Sequence, residues 1–258
     1  MNLRLLVVEG NTEHGSARIA ECGGKPYAQG YSAVLKDLRD DIECTAVFPS
    51  EDGANSLPPG VTFDDFEGAV WTGSALNAYD DVPPVLNQLR FAENLFASGT
   101  PIFGSCWGLQ IVTRALGGRV RKNPKGREIG IATDICLNAE GRAHPMFEDK
   151  AFCFDGFAVH TDEIEDPAPG SRILASNTMS AIQALSIESG GRFWGVQYHP
   201  EFDAHDVAII YKRLAPDIVR EGLFTDLDAV TIAARNLQVG EQAFDRLELK
   251  NWLKTLGA

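Results

Sequence analysis

Residues 101 to 110 read Pro-Ile-Phe-Gly-Ser-Cys-Trp-Gly-Leu-Gln. The short apolar run at 101–105 predicts a strand that is buried in a sheet. Residues 107–116 predict a helix that begins at once and stops at Gly117 and Gly118. A strand that passes directly into a helix is the repeating unit of α/β proteins, so this stretch already points to that fold class.

Cys106 occupies the junction between the predicted strand and helix, with Gly104 and Gly108 two positions away on either side. Small neighbours at these positions are typical of the sharp turn that presents a nucleophile in a strained backbone conformation. The turn also places the sulfur at the positive end of a helix, which favours the thiolate. The alternative is a buried structural cysteine beside two incidental glycines.

The rest of residues 1–118 repeats the same alternation. Strands are predicted over 3–9, 42–48 and 68–71, helices over 31–38 and 85–96, and loops over 11–24 and 49–60. This pattern indicates an α/β fold of the flavodoxin-like, doubly wound kind, with helices on both faces of a mainly parallel sheet.

Residues 119–189 differ, because short apolar runs separated by turn residues predict an antiparallel region added to the sheet. A further strand is predicted over 193–198 and a helix over 207–214. We therefore expect one domain over 1–214. The remainder, 215–258, is expected to be a C-terminal helical extension with two amphipathic helices broken near Gly240.

A second motif follows the predicted strand at 193–198 and reads Gly195-Val-Gln-Tyr-His-Pro-Glu201. A thiolate nucleophile needs a base, and the base needs an acceptor that orients it. His199 and Glu201, two positions apart, can project from one strand end, while Pro200 restrains the backbone between them. The alternative is a surface histidine beside an unrelated acid. Two such motifs at strand ends of one α/β domain favour a Cys106–His199–Glu201 catalytic triad.

The two motifs together, 93 positions apart from cysteine to histidine, resemble those of class I glutamine amidotransferases. The resemblance is nearest to the glutaminase domain of GMP synthase and covers residues 3 to 214 in element order. It implies that Cys106 is the nucleophile, His199 the base and Glu201 its orienting partner. It also implies that a γ-glutamyl thioester forms on Cys106.

The resemblance also assigns an oxyanion hole to the amides of Gly73 and Trp107. The Trp107 amide is free on physical grounds, because amides in the first turn of a helix have no intrahelical partner. An ordinary turn glycine is the alternative for Gly73. Many family members carry a second glycine where this chain has Ser74, so the position of that donor is an open point.

Two further residues are assigned to substrate binding by the resemblance. Gln110 lies one helical turn after Cys106 on the same face, and family members use this side chain to hold the substrate. Asp162 belongs to a His-x-Asp element whose acid pairs with the substrate α-ammonium group, which needs a countercharge. The alternatives are a solvent-facing glutamine and an acidic run, over 162–166, that faces water.

Composition excludes several classes of function. Hydrophobic residues make up 44% and charged residues 23%, which describes a globular protein with a core. A formal charge of −13 disfavours nucleic acid and membrane partners. The five widely spaced cysteines indicate neither a disulfide framework nor a metal site, no cofactor is implied, and we expect a reducing cytoplasm.

Two hypotheses from different classes follow. The first is an enzyme that hydrolyses the side-chain amide of glutamine, with the ammonia passed to a separate synthase partner where one exists, since 258 residues hold no synthase domain. Within it, a γ-glutamyl peptide or amine hydrolase would use the same triad. The second is a non-catalytic regulatory or binding module on the same fold. The complete triad favours the enzyme.

Overall fold

A computed structural model describes residues 2–239 and 244–256. Its strands are β1 (Leu3–Val8), β2 (Ile42–Val47), β3 (Gly68–Trp71), β4 (Ile102–Ser105), β5 (Arg119–Lys122), β6 (Glu128–Leu137), β7 (Cys153–His160), β8 (Asp162–Asp166), β9 (Ser171–Ser176), β10 (Ala184–Ile187) and β11 (Phe193–Val196). Its helices are α1 (Glu13–Glu21), α2 (Tyr27–Leu38), α3 (Pro49–Asp52), α4 (Pro83–Ala97), α5 (Trp107–Ala115), α6 (Ala139–Ala143), α7 (Ala204–Arg220), α8 (Leu227–Val239) and α9 (Leu247–Lys254).

The main sheet has nine strands in the order β2-β1-β3-β4-β11-β10-β9-β6-β7. The first five run parallel, and the pairs beyond β11 are antiparallel. This is the predicted parallel sheet with an antiparallel addition. Strands β5 and β8 pair separately as a two-stranded ribbon. Because β3, β4 and β11 are parallel neighbours, the segments that follow them begin at the same edge of the sheet.

Side chains alternate between the two faces of the sheet, and each face is covered by helices. In β1, Leu5 and Val7 join a core that includes α2 and α9, whereas Leu6 and Val8 join a core with α4 and α5. All four side chains are fully buried. A strand buried on both faces needs the continuous apolar run seen in the sequence.

The C-terminal helices are packed against the rest of the chain. Helix α7 crosses the predicted domain boundary at residue 214 and packs with α8 in a third apolar cluster, while Trp252 of α9 lies in the main core. The division into a domain and an extension stays a prediction, and the expected break near Gly240 lies outside the described residues. Among those residues, no helix has the length and apolar composition needed to cross a membrane.

The loop prediction for residues 11–24 was wrong over much of its length, because α1 occupies 13–21. Thr12 caps this helix by accepting the amide of Gly15 at 3.1 Å. Ile19 is its buried residue and lies close to Gly24, next to Ile209 of α7. Because α1 buries a single residue, Ile19, it leaves almost no apolar periodicity in the sequence. The capping residue Thr12 was the local sign of this helix.

The expectation that no disulfide is present was also wrong. Cys136 and Cys153 form a disulfide, with their Cα atoms 4.1 Å apart. They are direct partners in the antiparallel register of β6 and β7. Seventeen positions separate them in the chain, so only the strand register reveals their proximity. Cys22, Cys44 and Cys106 carry free thiols.

Candidate active site

Cys106 lies at the junction of β4 and α5 with a left-handed backbone, at φ 50° and ψ −97°. L-residues rarely adopt a positive φ, and such strain is concentrated at functional sites. The two flanking glycines allow the turn to close. A Cβ on Gly104 would lie 2.6 Å from the carbonyl carbon of Gly108, and a Cβ on Gly108 would lie 2.7 Å from the carbonyl oxygen of Trp71. Side chains at either position would therefore push the helix away from the sheet.

His199 and Glu201 follow β11, the strand next to β4. His199 Nδ1 and Glu201 Oε1 are 2.7 Å apart, and both residues are at most 5% exposed. The His199 ring also stacks on Phe202, with the ring centroids 3.9 Å apart. One hydrogen bond and one stacked ring thus hold the imidazole in a single orientation.

The charge state of His199 follows from its neighbours. Burial opposes a charged imidazole, but attraction to Glu201 and to Cys106 outweighs it and raises the pKa of His199 to about 10. An imidazolium beside a thiol stabilises the thiolate, which is the reactive form of cysteine. The sulfur of Cys106 lies 3.7 Å from the carbonyl oxygen of Val159 and 3.5 Å from Gln197 Nε2.

Gly73, predicted to supply one oxyanion donor, follows β3 and lies beside His199. A Cβ at this position would lie 2.9 Å from His199 Cε1, so the site has no room for a larger residue. The Thr72 hydroxyl donates to the Gly73 carbonyl oxygen at 3.0 Å, which restrains that peptide. Among the described residues, neither the amide of Gly73 nor that of Trp107 donates to a protein acceptor. Both amides are therefore available to a ligand.

Gln110 is buried on the first turn of α5 and does not face solvent. Its Nε2 donates to the carbonyl oxygen of Asp162 at 3.3 Å and to Gln197 Oε1 at 3.2 Å. Gln197 Nε2 in turn donates to the sulfur of Cys106. A chain of amide side chains therefore joins the predicted substrate-binding glutamine to the predicted nucleophile.

Asp162 begins β8 and is 5% exposed, unlike the exposed Asp166 at the other end of the same strand. Burial raises the pKa of Asp162 to about 6, although the hydroxyl of Tyr79, 3.4 Å away, acts in the opposite direction. The two acids lie at opposite ends of β8, and Asp166, at the exposed end, forms a surface ion pair with Arg119 at 2.6 Å. The acidic run is thus not uniformly exposed to solvent.

A cleft of about 260 Å³ lies over these residues. Its lining includes Cys106, Gln110 and Asp162, and its far wall is formed by residues of α7. Its size and polar lining suit a small polar molecule rather than a macromolecule. Three of the seven residues predicted for the site thus line the cleft. Trp107 follows Cys106 in the chain, and Gly73 adjoins His199, which contacts Glu201.

Several residues of the site had no assigned role in the sequence. Gln197 could have been found, because it lies two positions before His199 and strand alternation sends both side chains to the same side. Phe202, one position after Glu201, offered a weaker signal. Tyr79 lies in the segment 77–81 that follows the Gly73 loop, and its hydroxyl contacts Asp162. The α7 residue Arg213 gave no signal, since only the folded chain brings it to the cleft.

The chain resembles proteins of known activity in sequence. A γ-glutamyl-L-1-hydroxyisopropylamide hydrolase from a Pseudomonas species is 33% identical over 98% of this chain and 93% of its own length. A glutamine-hydrolysing GMP synthase from Clostridium kluyveri is 30% identical over 53% of this chain. This chain spans only 24% of that synthase, so the likeness concerns a part of it.

The fold is shared with solved structures. A glutamine amidotransferase from Thermotoga maritima matches with a TM-score of 0.70 and 15% identity, over 99% of this chain and 98% of its own. The family model for class-I glutamine amidotransferases matches residues 69–213. These findings confirm the predicted flavodoxin-like fold class and the prediction of a hydrolase or amidotransferase enzyme. The chain belongs to the class-I glutamine amidotransferase family.

Proposed function

We propose that this protein is a cysteine hydrolase that cleaves γ-glutamyl amides through a thioester on Cys106. The observation that carries the proposal is the 2.7 Å contact of His199 with Glu201 beside a cysteine in strained backbone. Covalent amide cleavage requires a nucleophile, a base and an acceptor that orients the base. These three groups are at the carboxyl ends of two adjacent parallel strands, where α/β enzymes place their sites.

In the first half-reaction, the Cys106 thiolate attacks the amide carbonyl carbon. A carbon–sulfur bond forms, and the carbonyl π electrons move onto the oxygen. The amides of Gly73 and Trp107 stabilise this oxyanion. The His199 imidazolium then gives its Nε2 proton to the leaving nitrogen, the carbon–nitrogen bond breaks, and ammonia or an amine departs.

In the second half-reaction, neutral His199 takes a proton from water, and the oxygen of that water attacks the thioester. The same two amides stabilise the second tetrahedral oxyanion. Collapse of this second intermediate breaks the carbon–sulfur bond and releases glutamate with a free γ-carboxyl group. The thiolate–imidazolium pair is thereby restored. Glu201 keeps its hydrogen bond to Nδ1 throughout and stabilises the charged ring.

Recognition of the γ-glutamyl group is proposed for the Gln110 and Asp162 side of the cleft. An ionised Asp162 would pair with the α-ammonium group of the substrate, which needs a buried countercharge. Gln110 is held by its bonds to the Asp162 backbone and to Gln197, so it offers its remaining hydrogen-bonding capacity in a fixed place.

The leaving group distinguishes two versions of this function. The near full-length likeness to a hydrolase of a γ-glutamyl amide from Pseudomonas supports an amine as the leaving group. The likeness to a GMP synthase supports free glutamine as the substrate, in which case a separate synthase subunit would accept the ammonia. A non-catalytic module is the less favoured reading, because the complete triad is present.

The experiment is turnover of glutamine and of a set of γ-glutamyl amines and amino acids by the wild type and by Cys106→Ala. Release of ammonia, amine or amino acid is expected in the wild type and is expected to be lost in Cys106→Ala. Cys22→Ala and Cys44→Ala are the matched controls, because both thiols are free and lie outside the cleft. Equal turnover by wild type and Cys106→Ala would contradict the proposal.

A further inference from the structure

Arg213 lies in the second half of α7 and lines the cleft that contains Cys106. Its Nε atom is buried and has no hydrogen-bond partner. Arg213 takes part in none of the ion pairs found within residues 2–239 and 244–256. Arg213 as a whole is half-buried, and its unpartnered Nε leaves a hydrogen-bond donor available to a ligand.

Two carboxylates that follow Arg213 in the chain are already paired with other arginines. Asp217 lies one turn after Arg213 and also lines the cleft. Its Oδ1 accepts a hydrogen bond from Arg220 Nη2 at 2.5 Å. The carboxylate of Glu221 accepts two hydrogen bonds from Arg127, one from Nε and one from Nη2, both at 2.8 Å. Among the described residues, neither Asp217 nor Glu221 forms an ion pair with Arg213.

Arg18 adds a second positive group to the same wall. It lies on α1, which packs against α7, and its exposed side chain lines the cleft as well. Arg18 also has no ion pair among the described residues. In a protein with a formal charge of −13, two unpaired guanidinium groups beside the nucleophile create a local attraction for anions.

Arg213 belongs to the side of the cleft that receives the leaving group. Gln110 and Asp162 approach from α5 and β8, whereas α7 packs over β6 and β7. His199, which would protonate the leaving nitrogen, stacks on Phe202 just before α7. The leaving group of a bound γ-glutamyl amide would therefore extend toward α7.

Tyr27 gives an independent sign of this placement. Its ring lies 5.6 Å from the ring of Phe202, centroid to centroid. Burial raises the pKa of Tyr27, while the charge of Arg213 lowers it and that of Cys106 raises it. The half-buried Tyr27 ring thus lies beside Phe202 on the His199 side of the site, and its pKa depends on the charges of both Arg213 and Cys106.

We propose that Arg213 binds the carboxylate of an amino-acid leaving group, so that the preferred substrates are γ-glutamyl amino acids or peptides rather than glutamine or neutral γ-glutamyl amines. The inference rests on the proposed function, because it assigns a partner group within the same reaction. A guanidinium suits this task because its planar fork matches a carboxylate in a bidentate arrangement. Arg18 strengthens the local positive field at the cleft rim.

The test compares two substrates that differ only in the leaving group. In γ-glutamyl-L-alanine the leaving group carries a carboxylate, and in γ-glutamyl-L-1-hydroxyisopropylamide a hydroxymethyl group takes its place. The wild type is expected to have the larger kcat/KM with the carboxylate substrate. In Arg213→Met the ratio of the two kcat/KM values is expected to fall about tenfold to a hundredfold, as for loss of a charged hydrogen bond. Arg213→Lys should retain part of the preference.

Lys212→Met is the matched control, because it removes one exposed positive charge from the same helix. Its substrate ratio is expected to equal that of the wild type. Equilibrium binding of both compounds to Cys106→Ala, with and without Arg213→Met, measures the same preference without turnover. Thermal unfolding of each variant checks that the fold is kept.

The outcomes separate this inference from the proposed function. Cys106-dependent turnover with no preference for the carboxylate, or an equal loss on both substrates in Arg213→Met, would overturn the role of Arg213 alone. The second result would mean that Arg213 binds the γ-glutamyl moiety or only supports the fold. Turnover that does not require Cys106 would overturn the proposed function, and the binding comparison would still decide on Arg213.

Discussion

The neighbouring residues Tyr198 and His199 each belong to a buried cluster of charged and polar side chains. His199 contacts Glu201 at 2.7 Å. Tyr198 donates its hydroxyl to Glu248 of α9 at 2.6 Å, and Glu248 forms an ion pair with Lys150 at 3.0 Å. Burial and short contacts are common to both clusters, so these properties alone do not distinguish a catalytic group from a structural one.

The surroundings of the two clusters differ. The first adjoins Cys106, with its positive φ, and a cleft of about 260 Å³. The second adjoins a cavity of only about 10 Å³ and ties the C-terminal helix to the core. We conclude that a cysteine in strained backbone and an accessible cleft indicate chemistry, whereas the closed cluster around Glu248 serves stability.

The largest effect is expected for His199→Asn. Asparagine keeps a similar size but cannot carry the proton, so kcat/KM should fall by about 10⁴-fold or more, as in related triads. Steady-state kinetics with a γ-glutamyl amide measures this. His205→Asn, an exposed histidine at the start of α7, is the control and should behave as the wild type. A loss below tenfold in His199→Asn would mean that His199 is not the base.

A substitution in the second cluster, around Glu248, should lower stability and leave catalysis almost unchanged. Glu248→Gln leaves Lys150 with one carboxylate partner fewer in a buried place, which should lower the free energy of unfolding by about 3 kcal/mol. The kcat/KM of the folded protein should change by less than about threefold. Urea unfolding and kinetics on the same sample check both values. A large catalytic loss without a loss of stability would break the distinction between the clusters.

Asp162→Asn should produce an intermediate effect. The neutral amide cannot pair with an ammonium group, so kcat/KM at pH 8 should fall about tenfold to a hundredfold, mainly through KM. In the wild type, protonation of Asp162 removes the negative charge as the pH falls, so kcat/KM should decrease below a pH of about 6. That acidic limb should vanish from the pH profile of Asp162→Asn, and its persistence would assign the limb to another group.

The smallest effect is expected for Asp166→Asn, on the same strand as Asp162. Its partner is Arg119, and both side chains are largely exposed at 58% and 66%. Removal of such an exposed pair should cost less than about 1 kcal/mol of unfolding free energy. Thermal unfolding and kinetics measure the two consequences. A catalytic loss comparable to that of Asp162→Asn would show that strand position does not separate the two acids.

Much of the site could be predicted because its signals are local in the sequence. Gly104, Cys106 and Gly108 form a turn whose tight contacts depend on small residues at fixed positions. His199 and Glu201 are likewise two positions apart and meet directly. Where neighbouring residues determine the geometry, the pattern of residue types was sufficient to predict the turn at Cys106 and the contact of His199 with Glu201, while their catalytic roles stay predictions.

The missed features depend on contacts between distant parts of the chain. The disulfide of Cys136 with Cys153 follows from the register of two strands. Arg213 reaches the cleft only because α7 packs over the antiparallel side of the site. The cluster of Tyr198 with Glu248 requires α9 to return to the core. Periodicity within a segment carries no information about such pairings.

The most direct test of the central claim is mass spectrometry of the protein quenched with acid during turnover of a γ-glutamyl amide. We expect an adduct with the mass of one γ-glutamyl group, mapped to the peptide that contains Cys106 and absent from Cys106→Ala. Glu201→Gln, which weakens orientation of the base, should still acquire the adduct but lose it more slowly. Continued turnover with no adduct on Cys106, or with the adduct on another residue, would contradict the thioester mechanism.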